Sequence, residues 1–321
     1  MKALLRGIAM VLAAAFGVNL AAAYPDRPIR LIVAFPPGGS ADVIARAMGP
    51  TLTASLGQPI IVENRPGAGG NIGVDAVAKA APDGYTIGIG AAGALAVNVS
   101  LQDKPPFDPQ KDLTPITMLA EIPFLLIGAP SFSGQSLRDV VTMAKAAAPG
   151  LSIGHGGNGT AMHLTAQLFN HMADVNISLV PYRGSAPVAT DVLAGHIPLG
   201  VVDIPSALQL IKGAQLKALA VSTAKRVSFL PDVPTFDEAG VKGYESIGWF
   251  GIIAPAGTPP EVIAKLNQAF VAAMKSPELH DRMQNAGAES SPSTPEAFRD
   301  FIKSETDKWA KVIAISGAKA K

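Results

Sequence analysis

Short apolar runs rich in β-branched residues recur along this chain, and helical patterns separate them. "IRLIVAF", "YTIGIG", "LSIGH", "ISLVPY", "IPLGVV" and "LKALAVS" show no polar alternation, as expected of strands covered on both faces. Between them lie "ADVIARAM", "IGVDAVAKAA", "SLRDVVTMAKAAA", "TAMHLTAQLFNHM" and "APVATDVLAG". Strand and helix alternating this often specify an α/β protein with doubly wound parallel sheets. Further on, "PPEVIAKLNQAFVAAMKS" and "PEAFRDFIKSETDKWAKVI" carry the apolar stripe of amphipathic helices.

The first residues bear on where the chain works. Lys2 and Arg6 precede an uncharged run from Gly7 to Leu20 that ends at Ala21-Ala22-Ala23. That is a secretory signal peptide, residues 1–23, with cleavage expected after Ala23. The run is shorter than the roughly 18 to 20 apolar residues of a membrane span. Removing 23 of 321 residues leaves 298, which suits two domains of about 150 residues each.

Composition removes several functions. Loss of Lys2 and Arg6 leaves 24 basic residues against 25 acidic ones, so nothing favours nucleic acid, whose binders carry a basic face. The chain has no cysteine, hence no disulfide, thiolate metal site or lipid-modified thiol. His155, His163 and His171 recur every eight residues with no carboxylate set at ligand spacing, so no metal is expected. "GIGAAG" (Gly88, Gly90, Gly93) and "GHGGNG" (Gly154, Gly156, Gly159) satisfy a dinucleotide fingerprint. The first lacks room for the helix that follows, and the second lacks the acidic residue for a ribose. No G-x-S-x-G elbow occurs. A binding protein without cofactor accounts better for the chain than an enzyme, with a dinucleotide-dependent enzyme as the alternative.

"LIVAFPPGGSADVIAR" runs from a strand through Pro-Pro-Gly-Gly into a helix. A helix starting at the carboxyl edge of a parallel sheet offers unpaired N–H groups and partial positive charge to an anion. Gly38 and Gly39 allow close approach, and Ser40 can cap the helix or donate to a ligand. Asp42 either favours the helix start or orders the loop from behind. "LSIGHGGNGTAMHLTAQLF" repeats the device with Gly156-Gly157-Asn158-Gly159 and Thr160 at a helix start. Two such loops, one per sheet, fit a two-lobed clamp. Helix limits are also marked. Ser136 with Asp139 approximates a capping box, Gly150 reads as a stop, Pro50 should break or kink the first helix near Gly49, and Ser316 to Lys321 read as frayed.

With these stretches, "VENRPGAGGNIG", "FDPQKDLTPI", "VPYRGSAPVATDVLAGHI", "STAKRVSFLPDVPTFDEAG" and "WFGIIAPAGTPPEVIAKLN" make the chain resemble the Bug family, solute receptors of tripartite tricarboxylate transporters. The resemblance implies a two-lobed type II periplasmic-binding-protein fold, two doubly wound sheets joined by two crossing strands near "TMLAEIPFLL" and "SIGWFGIIAP". Lobe I would comprise 24–123 and 250–321, and lobe II 124–249. It implies a periplasmic, monomeric protein that closes on a small organic carboxylate and hands it to membrane transporter subunits or to a sensor protein. The ligand carboxylate would be held by the two loops, at Phe35, Gly39 and Ser40 and at Asn158, Gly159 and Thr160. His163 matches the second loop, and Ala91 and Ala92 match a lining segment. By position Tyr182, Asp203 and Trp249 can also reach the crevice, where Asp203 would pair with a ligand ammonium or hydroxyl or else cap the next helix. Trp249, at the second crossing, is expected to lose water contact on closure while Trp309 on the last helix keeps its surroundings.

Overall fold

The computed structural model describes residues 24–316 apart from 103, 147–150, 278, 280, 282 and 284–287. Residues 1–23, read as a signal peptide, Gly150 and residues 317–321 lie outside the described residues. The first half runs β1 (Ile29–Val33), α1 (Ser40–Leu56), β2 (Ile60–Asn64), α2 (Asn71–Ala78), β3 (Thr86–Ala91), a π-turn over Gly93–Val97 and the short α3 (Asn98–Leu101). After β4 (Leu113–Gly128) come α4 (Leu137–Lys145), β5 (Ser152–His155), α5 (Ala161–Met172), β6 (Ser178–Pro181) and α6 (Ser185–Leu193). Then follow β7 (Leu199–Asp203), α7 (Ile204–Lys212), β8 (Lys217–Val221), β9 (Ile247–Pro255), α8 (Pro260–Met274), β10 (Glu289–Ser290) and α9 (Pro295–Ser316).

The strands form a curled sheet in the order β2-β1-β3-β9-β4-β7-β5-β6, with β8 and β10 also against β4. Two parallel trios, β2-β1-β3 and β6-β5-β7, stand at the ends of this order. Between them β4 pairs β9 from Leu113 to Pro123 and then pairs β7 and β8 from Phe124 to Gly128. The all-parallel expectation therefore fails at the centre. β4 leaves one sheet for the other and β9 returns, so both run antiparallel to the trio strands beside them, β4 to β7 and β9 to β3. β4 is almost wholly buried, which explains its continuous apolar reading.

The α1 helix buries Ala41, Ile44, Ala45, Met48, Leu52 and Leu56, the one-sided spacing of a core-facing helix. Of the expected break or kink at Pro50, the break does not occur: the helix continues through it. Pro50 is exposed, while Met48, Leu52 and Leu56 pack into the core on both sides of it. Tertiary burial thus outweighs the lost backbone bond. The helix ends instead at Gly57, whose φ of 73° and N–H bond to Thr53 O make a left-handed cap. The capping box at Ser136 and Asp139 is present as expected. β2 and α7 were not singled out in the sequence; β2 is only partly buried along its length, so its pattern is weak.

Candidate functional site: a cleft where three helices begin

At the end of β1 the chain turns through Phe35-Pro36-Pro37-Gly38-Gly39 into α1. Gly39 caps that helix in an extended conformation and supplies no side-chain acceptor. The amides of Ser40 and Ala41 consequently have no acceptor among the described residues. The turn is held from behind. Asp42 accepts the Gly38 N–H at 3.0 Å, Arg46 Nε at 2.9 Å and Asn64 Nδ2 at 2.9 Å, and Asn64 Nδ2 also donates to Phe35 O. Burial acts to raise the Asp42 pKa, but the hydrogen bonds from Arg46, Gly38 and Asn64 outweigh it and hold the carboxyl below its usual value.

The second loop follows β5. Thr160 caps α5, its hydroxyl accepting the His163 N–H at 3.2 Å and donating to Gly157 O at 2.7 Å. Two buried imidazoles brace the loop from inside. His155 Nδ1 accepts the Gly157 N–H at 3.3 Å, His163 Nδ1 accepts the Gly159 N–H at 3.4 Å, and the rings stack 4.7 Å apart. Burial, and then the neighbouring His163, push the His155 pKa down to about 3; burial lowers His163 as well. Both rings are thus neutral acceptors at Nδ1. The Gly159 amide is spent on this brace, and in the first turn of α5 the amides of Ala161 and Met162 have no acceptor among the described residues.

A third loop, absent from the sequence reading, completes the set. After β6, Gly184 at φ 130° leads into α6, again with no side-chain cap; Ser185 and Ala186 line the same space, and their amides have no acceptor among the described residues. The signal was available in "YRGSAPV": a glycine, then a small polar residue, at a strand-to-helix turn. Asp203 ends β7 on the adjoining wall. It caps α7 by accepting the Ser206 N–H at 3.1 Å, its own N–H donates to Ser185 Oγ at 2.9 Å, and its Oδ2 accepts the Ser40 hydroxyl from the opposite loop.

Glycines bring the two sides together. A Cβ on Gly69 would stand 2.6 Å from Asn158 O, and one on Gly93 would stand 2.6 Å from Gly159 O. The cleft so formed holds about 570 Å³ of space, part of it open to solvent. Phe35, Gly39, Ser40, Ala91 and Ala92 line it on one side, Thr160 and Asp203 on the other, and Trp249 at the floor with Ile122, Phe124 and Phe250. Asn158 and Tyr182 do not line it; with Arg183 they line a separate pocket that shares Phe35 and Gly69 with the cleft. The Tyr182 hydroxyl donates to Asp191 at 2.9 Å, and burial with that carboxylate raises its pKa to about 12. Asp42, Gly159 and His163 are placed behind the loops and outside the cleft wall, where they shape backbone. Among the described residues Asp203 is the only charged side chain in the wall, and no lysine, arginine or histidine lines it.

Trp249 is 2 % exposed, so its expected water contact is absent in this form. Its Nε1 donates to Glu305 Oε2 at 3.0 Å, and Phe298 and Phe301 meet its ring edge-on.

Residues 44–317 match the model of the TctC family, tripartite tricarboxylate transporter family receptor. BugT of Bordetella pertussis is 38 % identical over 299 residues, covering 93 % of this chain and 92 % of that protein. The structure of the periplasmic binding protein BugD aligns with a TM-score of 0.89 at 34 % identity, over 93 % of this chain and 100 % of the other. R. palustris Rpa4515 with adipate aligns with a TM-score of 0.89 at 35 % identity, over 92 % and 99 % of the two chains. The two-lobed periplasmic-binding-protein fold follows from these alignments. No helix among the described residues is long and apolar enough to cross a membrane. The protein is a solute-binding receptor rather than an enzyme, and the chain belongs to the tripartite tricarboxylate transporter receptor family.

Proposed function

We propose that the protein is exported, loses residues 1–23, closes on a small carboxylate in the cleft and delivers it to a tripartite tricarboxylate-type membrane transporter. One observation carries the reading: α1, α5 and α6 all begin at the cleft with unclaimed amides, and helix starts are anion sites. With no basic side chain in the wall among the described residues, these dipoles supply the attraction. The ligand contacts are then Ser40 and Ala41 on one side and Ala161, Met162, Ser185 and Ala186 on the other. The adipate carried by the R. palustris relative is a carboxylate of this kind.

Lobe I is proposed as 24–123 with 250–321 and lobe II as 124–249. The change of β4 partners between Pro123 and Phe124 supports the first boundary. At the second, Ser246 still bonds Ser222 whereas Ile247 already pairs Pro123, so the crossing begins a few residues before 250. Closure by rotation about these strands is a hinge motion.

Calorimetric titration with carboxylates and with the matching primary amides tests the assignment. Adipate or benzoate is expected to bind while adipamide and benzamide do not. Equal binding of acid and amide, or binding of neither acid, would contradict it.

A further inference from the structure

We infer that the ligand is a monocarboxylate with an apolar, aromatic body rather than a dicarboxylate; the inference rests on the carboxylate-receptor reading and narrows it. The polar groups of the cleft gather where the helices begin, and most of its polar side chains are already engaged. The Thr160 hydroxyl is held between His163 N and Gly157 O, the Ser40 hydroxyl is given to Asp203, and the Trp249 N–H is turned out of the cleft to Glu305. What remains for a ligand is a set of amides and the Ser185 hydroxyl proton, donors gathered where the helices begin.

The floor has a different character. It is made by the two crossing strands and presents Ile122 and Phe124 from β4 and Phe250 from β9, all buried. Phe35 faces Phe250 with ring centroids 6.1 Å apart and planes at 54°, and Met162 adds an adaptable apolar wall. A second carboxylate placed there would lose its water without gaining a donor. It would also meet Asp203, the one acidic side chain of the wall among the described residues. An aromatic ring placed there removes apolar surface from water and meets ring faces and edges.

Competition between benzoate and adipate for the whole mature protein, followed by calorimetry, tests the inference. Benzoate is expected to bind at least tenfold more tightly than adipate, with benzamide as the control that binds to neither extent. A smaller preference, or tighter binding of adipate or glutamate, overturns the aromatic monocarboxylate while leaving the carboxylate receptor intact. Binding of benzamide as tight as benzoate, or of no acid at all, overturns both.

Discussion

Trp249 and Trp309 share one acceptor: their indole N–H groups reach Glu305 Oε2 at 3.0 and 3.1 Å. Glu305 is buried on α9, and its other oxygen accepts Lys308 Nζ at 2.8 Å. A carboxylate oxygen with lone pairs to spare is one of few groups that can accept two indoles at once. The tryptophan in the cleft floor is thereby tied to the outer helix, and the two rings are not independent reporters. Trp309→Phe is expected to alter Trp249 emission before any ligand is added, and identical Trp249 spectra in parent and variant would show the tie to be weak.

Replacing the shared acceptor tests the same junction energetically. Glu305→Leu removes the shared oxygen, so both buried indole N–H groups lose their acceptor. A destabilisation of about 1–3 kcal/mol is expected, the range for an unsatisfied buried donor. Urea unfolding measures it, and an unchanged midpoint would contradict the account.

The second loop predicts a pH dependence. In the folded protein the His155 pKa lies near 3, against an ordinary value of 6.5. The unfolded chain therefore binds more protons between these values, and stability rises with pH there. The contribution is complete above about pH 6.5 and is lost as pH falls toward 3. The unfolding temperature should drop between pH 7 and pH 4, and the drop should be smaller in His155→Gln. An equal drop in both would locate the acid sensitivity elsewhere.

Glycine substitutions separate a loop that faces ligand from one that faces the other lobe. Gly159 has φ +78°, and a Cβ there would lie 2.2 Å from Asn98 Oδ1, whereas at Gly39 the nearest atom is Pro36 O at 3.6 Å. Gly159→Ala is expected to weaken ligand binding at least tenfold by opposing closure, with partial recovery when Asn98→Ala removes the colliding oxygen. Gly39→Ala should leave the unfolding temperature unchanged. No recovery in the double variant would mean that the strain lies in the loop itself and not in the meeting of lobes.

Much of this was legible in the sequence for a local reason. Glycines followed by a capping residue and an apolar helical repeat mark a strand-to-helix turn wherever they occur, so the loops at Gly39 and Thr160 could be read directly. What could not be read is long-range. Gly69 meets Asn158, Gly93 meets Gly159, and Trp249 meets Glu305 56 residues away, pairings that no local pattern encodes. The roles of Asp42, Gly159 and His163 needed the same information, because a residue beside a loop can face a ligand or support the backbone from behind. That the helix continues through Pro50 is likewise long-range, since local propensity ignores the core on either side of it.

Binding by backbone amides is the central claim, and removing one amide tests it most directly. Ala161 is the first residue of α5, a position where proline is well accommodated, and Thr160 before it is extended, with φ −82° and ψ 158°, as a residue preceding proline should be. Ala161→Pro thus deletes one N–H from the cleft while retaining the helix start. A charge-assisted hydrogen bond contributes about 1.5–3 kcal/mol, which is roughly 10- to 100-fold in affinity. Calorimetry on a carboxylate that binds the parent should show a loss of that size at an unchanged unfolding temperature; undiminished affinity in a folded Ala161→Pro protein would contradict the claim that the helix starts hold the ligand.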